Sequence, residues 1–112
     1  MLKTRIAVFV SGGGTNLQAL LDAQQAGSLT DGEIVLVLSS NPEAYALQRA
    51  ANFGVKAVTV SRRDCASQQD FEAGISRELE AAQVEMIVLA GFMSILSADF
   101  TEKWSRRIIN IH

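Results

Sequence analysis

The sequence predicts an α/β fold, with a mostly parallel sheet held between two layers of helices. Three observations carry that prediction. Five short apolar runs rich in β-branched residues recur along the 112 residues, the mark of strands buried on both faces. Stretches with apolar residues at helical spacing separate them. Each separation is long enough for a helical crossover between parallel strands, and such crossovers are right-handed.

The first strand is the run Ile6-Ala7-Val8-Phe9-Val10, and the second is Ile34-Val35-Leu36-Val37-Leu38. The third extends from Val55 to Val60 with Lys56 interrupting it. Met86-Ile87-Val88-Leu89-Ala90 forms the fourth, and Ile108-Ile109-Asn110-Ile111 the fifth. Leu17, Leu20, Leu21 and Ala26 share one face of a first helix. Ala46, Leu47, Ala50, Ala51 and Phe53 mark a second, with Gly54 as its stop. Phe71, Ile75, Leu79 and Ala82 mark a third, capped by Ser67. A short fourth is expected from Asp99 to Ser105, with Phe100 and Trp104 packing it. The alternation makes a three-layer, doubly wound, Rossmann-like sandwich in a single domain or part of one, with no internal linker or low-complexity segment.

Composition narrows the function. Apolar residues are 48% and charged residues 20%, which is a globular balance. A formal charge of -2 argues against a nucleic-acid binder that works by phosphate neutralisation and against an anionic membrane surface. One cysteine, Cys65, allows neither a disulfide framework nor a Cys-based structural zinc site. The single histidine is His112, so chemistry needing two histidines is excluded. No run nears the ~18 apolar residues of a membrane helix, and the amino terminus lacks a signal-peptide pattern. The expected compartment is the cytoplasm.

In such sheets ligands bind beyond the carboxyl ends of the strands, near the point where strand order reverses. Three strand ends carry suitable residues. After the first strand comes Ser11-Gly12-Gly13-Gly14-Thr15-Asn16-Leu17. Its glycines permit positive φ and close approach by a ligand, and a helix beginning near Thr15 or Asn16 aims its N–H groups and dipole into the same space. That is an anion site, best suited to a phosphate, or else a tight turn with no ligand. It is neither a dinucleotide motif, which needs glycine where Leu17 stands, nor a P-loop, which needs Gly-Lys-Ser/Thr.

After the fourth strand, Gly91-Phe92-Met93-Ser94-Ile95-Leu96-Ser97 places apolar residues where a loop is ordinarily polar. They form either a wall for a flat ligand or a cover for the sheet edge. On the fifth strand, Asn110 and His112 are two residues apart and face the same side. A side-chain amide beside an imidazole suits acyl-type transfer, through oxyanion stabilisation and proton movement. Arg62-Arg63-Asp64 reads as a solvated turn, Asn41-Pro42 as a turn and helix start, and Cys65 as no nucleophile.

The glycine-rich segment, Ser39 with Asn41, Ala90-Gly91-Phe92-Met93 with Ile95-Leu96, and Ile109-Asn110-Ile111-His112 together resemble the phosphoribosylglycinamide formyltransferase family. The resemblance runs from Arg5 to His112, and its last segment is similar to other formyl-folate enzymes, including methionyl-tRNA formyltransferase. It implies a formyltransferase fold over 1–112, with a phosphate loop at 11–17, a folate loop at 91–97 and a catalytic strand at 107–112. It also implies transfer of a formyl group from 10-formyltetrahydrofolate to the amine of 5-phosphoribosylglycinamide, with no metal. In that scheme Gly12, Gly13, Gly14, Thr15 and Asn16 hold the phosphoribosyl end. Gln68, Met93, Ser94, Ile95, Leu96 and Asn110 serve the folate, while Asn110 and His112 are catalytic. Small-molecule substrates are then the partners, without nucleic acid or membrane, and a homodimer is compatible.

Two departures stand out. Ser94 and Gln68 occupy positions where the family usually or often has arginine, which removes positive charge near a polyanionic folate. The family also continues past the histidine to an aspartate-bearing loop. The sequence therefore reads as the amino-terminal portion of the enzyme, ending after the fifth strand, with little activity expected of these residues alone and an apolar sheet edge left exposed. A non-catalytic phosphoribosyl- or nucleotide-binding domain, or another formyl-folate enzyme, is the alternative.

Overall fold

A computed structural model describes residues 3–111. Five parallel strands form one sheet in the order β3-β2-β1-β4-β5. They are β1 (Thr4–Val10), β2 (Gly32–Ser39), β3 (Ala57–Thr59), β4 (Met86–Ala90) and β5 (Ile108–Ile111). The helices are α1 (Thr15–Gln25), α2 (Ala46–Asn52), α3 (Gln68–Ala81) and α4 (Ala98–Lys103), with a 3-10 turn at Arg62–Asp64. The chain winds outward from β1 through β2 to β3, then returns to add β4 and β5 on the other side. Strand order thus reverses between β1 and β4, where this architecture leaves a crevice.

Each sheet face has its own core. Val8 and Val10 of β1 pack with Leu17 and Leu21 of α1 and Ala46 and Ala50 of α2. Phe9 of β1 packs on the opposite face with Leu36, Leu38 and Ile87, under Phe71, Ile75 and Leu79 of α3 and Phe100 of α4. The three-layer, doubly wound sandwich is the architecture expected from the sequence. Among the described residues no helix is long and apolar enough to cross a membrane.

Several local expectations are corrected. Ala26 is exposed because it lies one residue past α1, as its C-cap. Ala51 is exposed too, since α2 buries the stripe through Ala46 and Ala50. β3 is only three residues long. The turn at Gly54 (φ 71) takes up Val55, whose N–H returns to Ala50 O at 3.0 Å in a Schellman-type ending. α4 starts one residue earlier than expected, at Ala98, because Ser97 caps it by accepting the Phe100 N–H at 3.2 Å. Ser67 caps α3 in the same way through the Asp70 N–H, as its sequence position indicated.

The β1–β2 register slips by one residue, from Ile6 opposite Ile34 to Ala7 opposite Leu36. The slip puts Ile34 on the α1 and α2 side and Leu36 on the other. β5 is an edge strand, paired only with β4, and Ile109 is 46% exposed there.

Candidate functional site

The loops leaving β1 and β4 meet at the point of strand reversal. In the first of them, the carbonyls are turned away from the opening and toward α2. Gly12 O accepts the Ala46 N–H at 3.1 Å, and Gly13 O accepts Arg49 Nε–H at 2.7 Å. The first helical acceptor in use is Gly14 O, bonded by the Gln18 N–H at 2.8 Å. Among the described residues no side chain caps α1. Among the described residues, the N–H groups of Gly12, Gly13, Gly14, Thr15 and Asn16 therefore have no protein acceptor, and the dipole end of α1 adds to their positive potential.

The three glycines differ in what they answer to. Gly14 has φ 80, and a Cβ there would stand 2.7 Å from Ala46 Cβ, so both backbone conformation and α1–α2 packing demand glycine. At Gly12 and Gly13 φ is not in the left-handed region, and an added Cβ would meet nothing within 4 Å. Positive φ is thus confined to the last of the three. Space is open beside the other two.

Arg49 escaped the sequence reading. Besides Gly13 O, it reaches Gln18 Oε1 at 3.0 Å, and its guanidinium lies 5.0 Å from the centre of the Tyr45 ring. It locks α2 to the loop and sets a cation beside it. A basic residue inside a short helix gave no signal of this, because the contact joins positions 36 apart.

The second loop is fixed at both ends while its middle is open. Gly91 turns it with φ 74. Phe92 is half-buried and meets Phe9 edge-on at 5.2 Å between ring centres. Leu96 packs against the α3–α4 core. Met93 and Ile95 are each 82% exposed. They do not cover the sheet edge, as one reading of the sequence had it, whereas Phe92 does pack there. Ser94 lies between them, half-buried.

Glu72 of α3 is the second residue that the sequence did not reveal. Its Oε1 accepts the Ser97 hydroxyl at 2.6 Å, and its Oε2 accepts the Ser97 N–H at 2.6 Å. Burial works to raise the pKa of this carboxyl. The Ser97 hydroxyl and N–H, the Gln68 amide and the charge of Lys103 outweigh burial and hold it below the ordinary glutamate range. Gln68 donates one amide hydrogen to Glu72 at 2.8 Å and the other to Ile95 O at 2.9 Å, while its oxygen accepts from Arg62 Nε at 3.2 Å. Gln68 therefore meets the loop through its backbone, with its amide hydrogens already engaged.

Asn110 of β5 is opposite Leu89, and Leu89 is opposite Phe9. This register puts Asn110 on the α3–α4 face near the carboxyl edge, where it is exposed. His112, expected beside it, lies outside the described residues. Cys65 is half-buried, with its thiol donating to Ser61 O at 3.3 Å. Concavities of about 360 Å³ at the amino edge and about 410 Å³ between α3 and α4 lie away from these loops. The carboxyl edge is by contrast an open shelf bearing an N–H-lined loop, an apolar loop and an amide.

The profile of the formyl transferase family matches residues 4–112. The trifunctional purine biosynthetic protein adenosine-3 of Drosophila melanogaster is 43% identical over 111 residues, which are 98% of this chain and 8% of that protein. The phosphoribosylglycinamide formyltransferase of Haemophilus influenzae is 36% identical over 108 residues, 96% of this chain and 50% of that one. Among solved structures, glycinamide ribonucleotide transformylase 1 from Geobacillus kaustophilus superposes with a TM-score of 0.93 at 38% identity, over 99% of this chain and 58% of that one. The chain thus spans half, or much less, of the curated relatives' length.

Proposed function

This chain belongs to the formyl transferase family, and from that premise we propose that it forms part of an enzyme moving a formyl group from 10-formyltetrahydrofolate to the amine of 5-phosphoribosylglycinamide. One observation carries this reading: an N–H-lined loop and an exposed apolar loop converge at the strand reversal, one strand away from Asn110. The first suits a phosphate, the second a flat pterin, and the third a developing oxyanion.

Each part follows from chemistry already described. A phosphate set against Gly12 to Asn16 accepts N–H groups that have no other acceptor and lies at the positive end of α1. The open space at Gly12 and Gly13 admits it to the backbone. Met93 and Ile95 offer apolar area to a ring system that would be poorly served by a polar loop. The substrate amine attacks the formyl carbon, and the tetrahedral intermediate carries negative charge on the former carbonyl oxygen. Asn110 donates its amide to that oxygen. The attacking amine nitrogen gives up one proton, collapse breaks the bond to folate N10, and N10 takes up one proton; His112 is suited to carry the proton from the first nitrogen to the second near neutral pH. Folate, purine-precursor chemistry and a cytoplasmic setting all belong to this proposal.

The test is formyl transfer by the protein as its gene encodes it, with Asn110→Ala alongside. Turnover that depends on both substrates, with kcat down by about 10²-fold or more in the variant and KM little changed, is the expected result. Binding of the phosphoribosyl substrate with no binding of folate would favour a binding-only domain instead.

A further inference from the structure

Ser11 stands where three strand-end loops converge. A hydroxyl has one hydrogen to give and two lone pairs to receive with. In Ser11 the oxygen accepts the Met93 N–H at 2.8 Å and shares one hydrogen with Ser40 Oγ at 2.5 Å. The preceding residue, Val10, is fully buried in β1. The following residue, Gly12, begins the loop whose N–H groups lack protein acceptors among the described residues. Among the described residues, the Ser11–Met93 bond is the one hydrogen bond between 11–17 and 91–97.

We infer that Ser11 is a positioning residue that couples the two loops, so that a phosphate on the glycine loop sets the Met93 backbone and raises affinity for the ligand of the apolar loop. The inference rests on the substrate assignment above. Its physical basis is the asymmetry around Ser11: a fixed strand lies behind it and an anion-seeking loop lies ahead. When an anion draws the N–H groups of 12–16 inward, Ser11 is displaced with them, and the Met93 N–H follows its acceptor. The other end of the apolar loop stays pinned by Glu72 and Gln68, so the change is concentrated at the exposed Met93–Ile95 segment. Coupling of this kind is reciprocal. Ser40 holds the same hydroxyl from the side of β2 and, among the described residues, makes no hydrogen bond to Met93, so its loss leaves the link between the two loops in place.

The test measures binding of a formyl-free folate analogue, without and with saturating glycinamide ribonucleotide, in the protein as its gene encodes it. In the native protein the ribonucleotide should tighten the analogue by about fivefold or more. In Ser11→Ala that factor should fall below about twofold, whatever the affinity for each ligand alone. Ser11→Thr, which keeps the oxygen, and Ser40→Ala should both retain the coupling. Inorganic phosphate alone should shift the Met93 amide resonance in the native protein but not in Ser11→Ala, a readout independent of folate. Independent binding of the two ligands in the native protein, or coupling undiminished in Ser11→Ala, overturns the inference and leaves the substrate assignment standing. If neither ligand binds the native protein, the assignment itself fails and the coupling falls with it.

Discussion

The hydroxyl oxygen of Ser11 accepts the backbone N–H of Met93 across 82 positions of sequence, at 2.8 Å. That bond joins the two loops at the strand reversal, and it defines how the shelf is built. One side is glycine backbone whose N–H groups have no protein acceptor among the described residues. The other is an apolar loop whose ends are anchored and whose middle is free. Neither loop is shaped by its own sequence alone, since Arg49 sets the first and Glu72 the second.

The glycine loop separates stability from binding. Gly14→Ala should destabilise the fold by about 2 kcal/mol or more, because it forces a Cβ into the left-handed region and against Ala46. Gly12→Ala should change stability by less than about 0.5 kcal/mol, having open space around it. It should nevertheless weaken the phosphoribosyl ligand by about tenfold, since the new methyl occupies the approach to the N–H groups. Urea unfolding and a binding titration on the two variants check both halves. Equal stability losses would contradict the division.

A similar division applies to the apolar loop. Phe92→Ala should cost about 2 kcal/mol, less than a fully buried phenylalanine, through its lost contact with Phe9. Met93→Ala and Ile95→Ala remove side chains that the fold leaves 82% exposed, so stability should hold within about 0.5 kcal/mol. If these side chains are the wall for a pterin, each truncation should weaken a folate analogue by about tenfold. Unfolding midpoints together with analogue affinities give the comparison, and unchanged affinity in both variants would remove the wall.

Much of this was legible before the structure because the signals were local. The runs Ile6 to Val10 and Met86 to Ala90 could be little but buried parallel strands, and helical spacing identified Leu17 with Leu21 and Phe71 with Ile75 and Leu79. The glycine loop, the apolar loop and Asn110 stand out as candidates from their place at strand ends alone, where this architecture binds ligands. What escaped was non-local or hidden by uniformity. In the continuous apolar run of β2 no residue marks the slip between Ile34 and Leu36. The αL endings at Gln83 (φ 55) and Arg106 (φ 66) carry no glycine to announce them. Arg49 and Glu72 read as ordinary helix-surface charges, because what they hold lies 36 and 25 positions away.

Glu72 leads to a prediction about acid. Its carboxylate holds Ser97, the cap of α4, by two bonds, and through Gln68 it steadies Ile95 O. Because the folded protein keeps this carboxyl below its ordinary range, protonation is harder in the folded than in the unfolded chain. The stabilisation is therefore fully present above the unfolded value, near pH 4.5, and is lost as pH falls through the lower folded value. Glu72→Gln keeps the shape but removes the charge, so it should lower stability at neutral pH and flatten the decline in stability below pH 4.5. Unfolding midpoints for both proteins from neutral pH downward provide the measurement. The two curves should converge in acid, where the native carboxyl is also neutral. A constant gap across the whole range would mean that Glu72 acts by packing and hydrogen-bond geometry, not by charge.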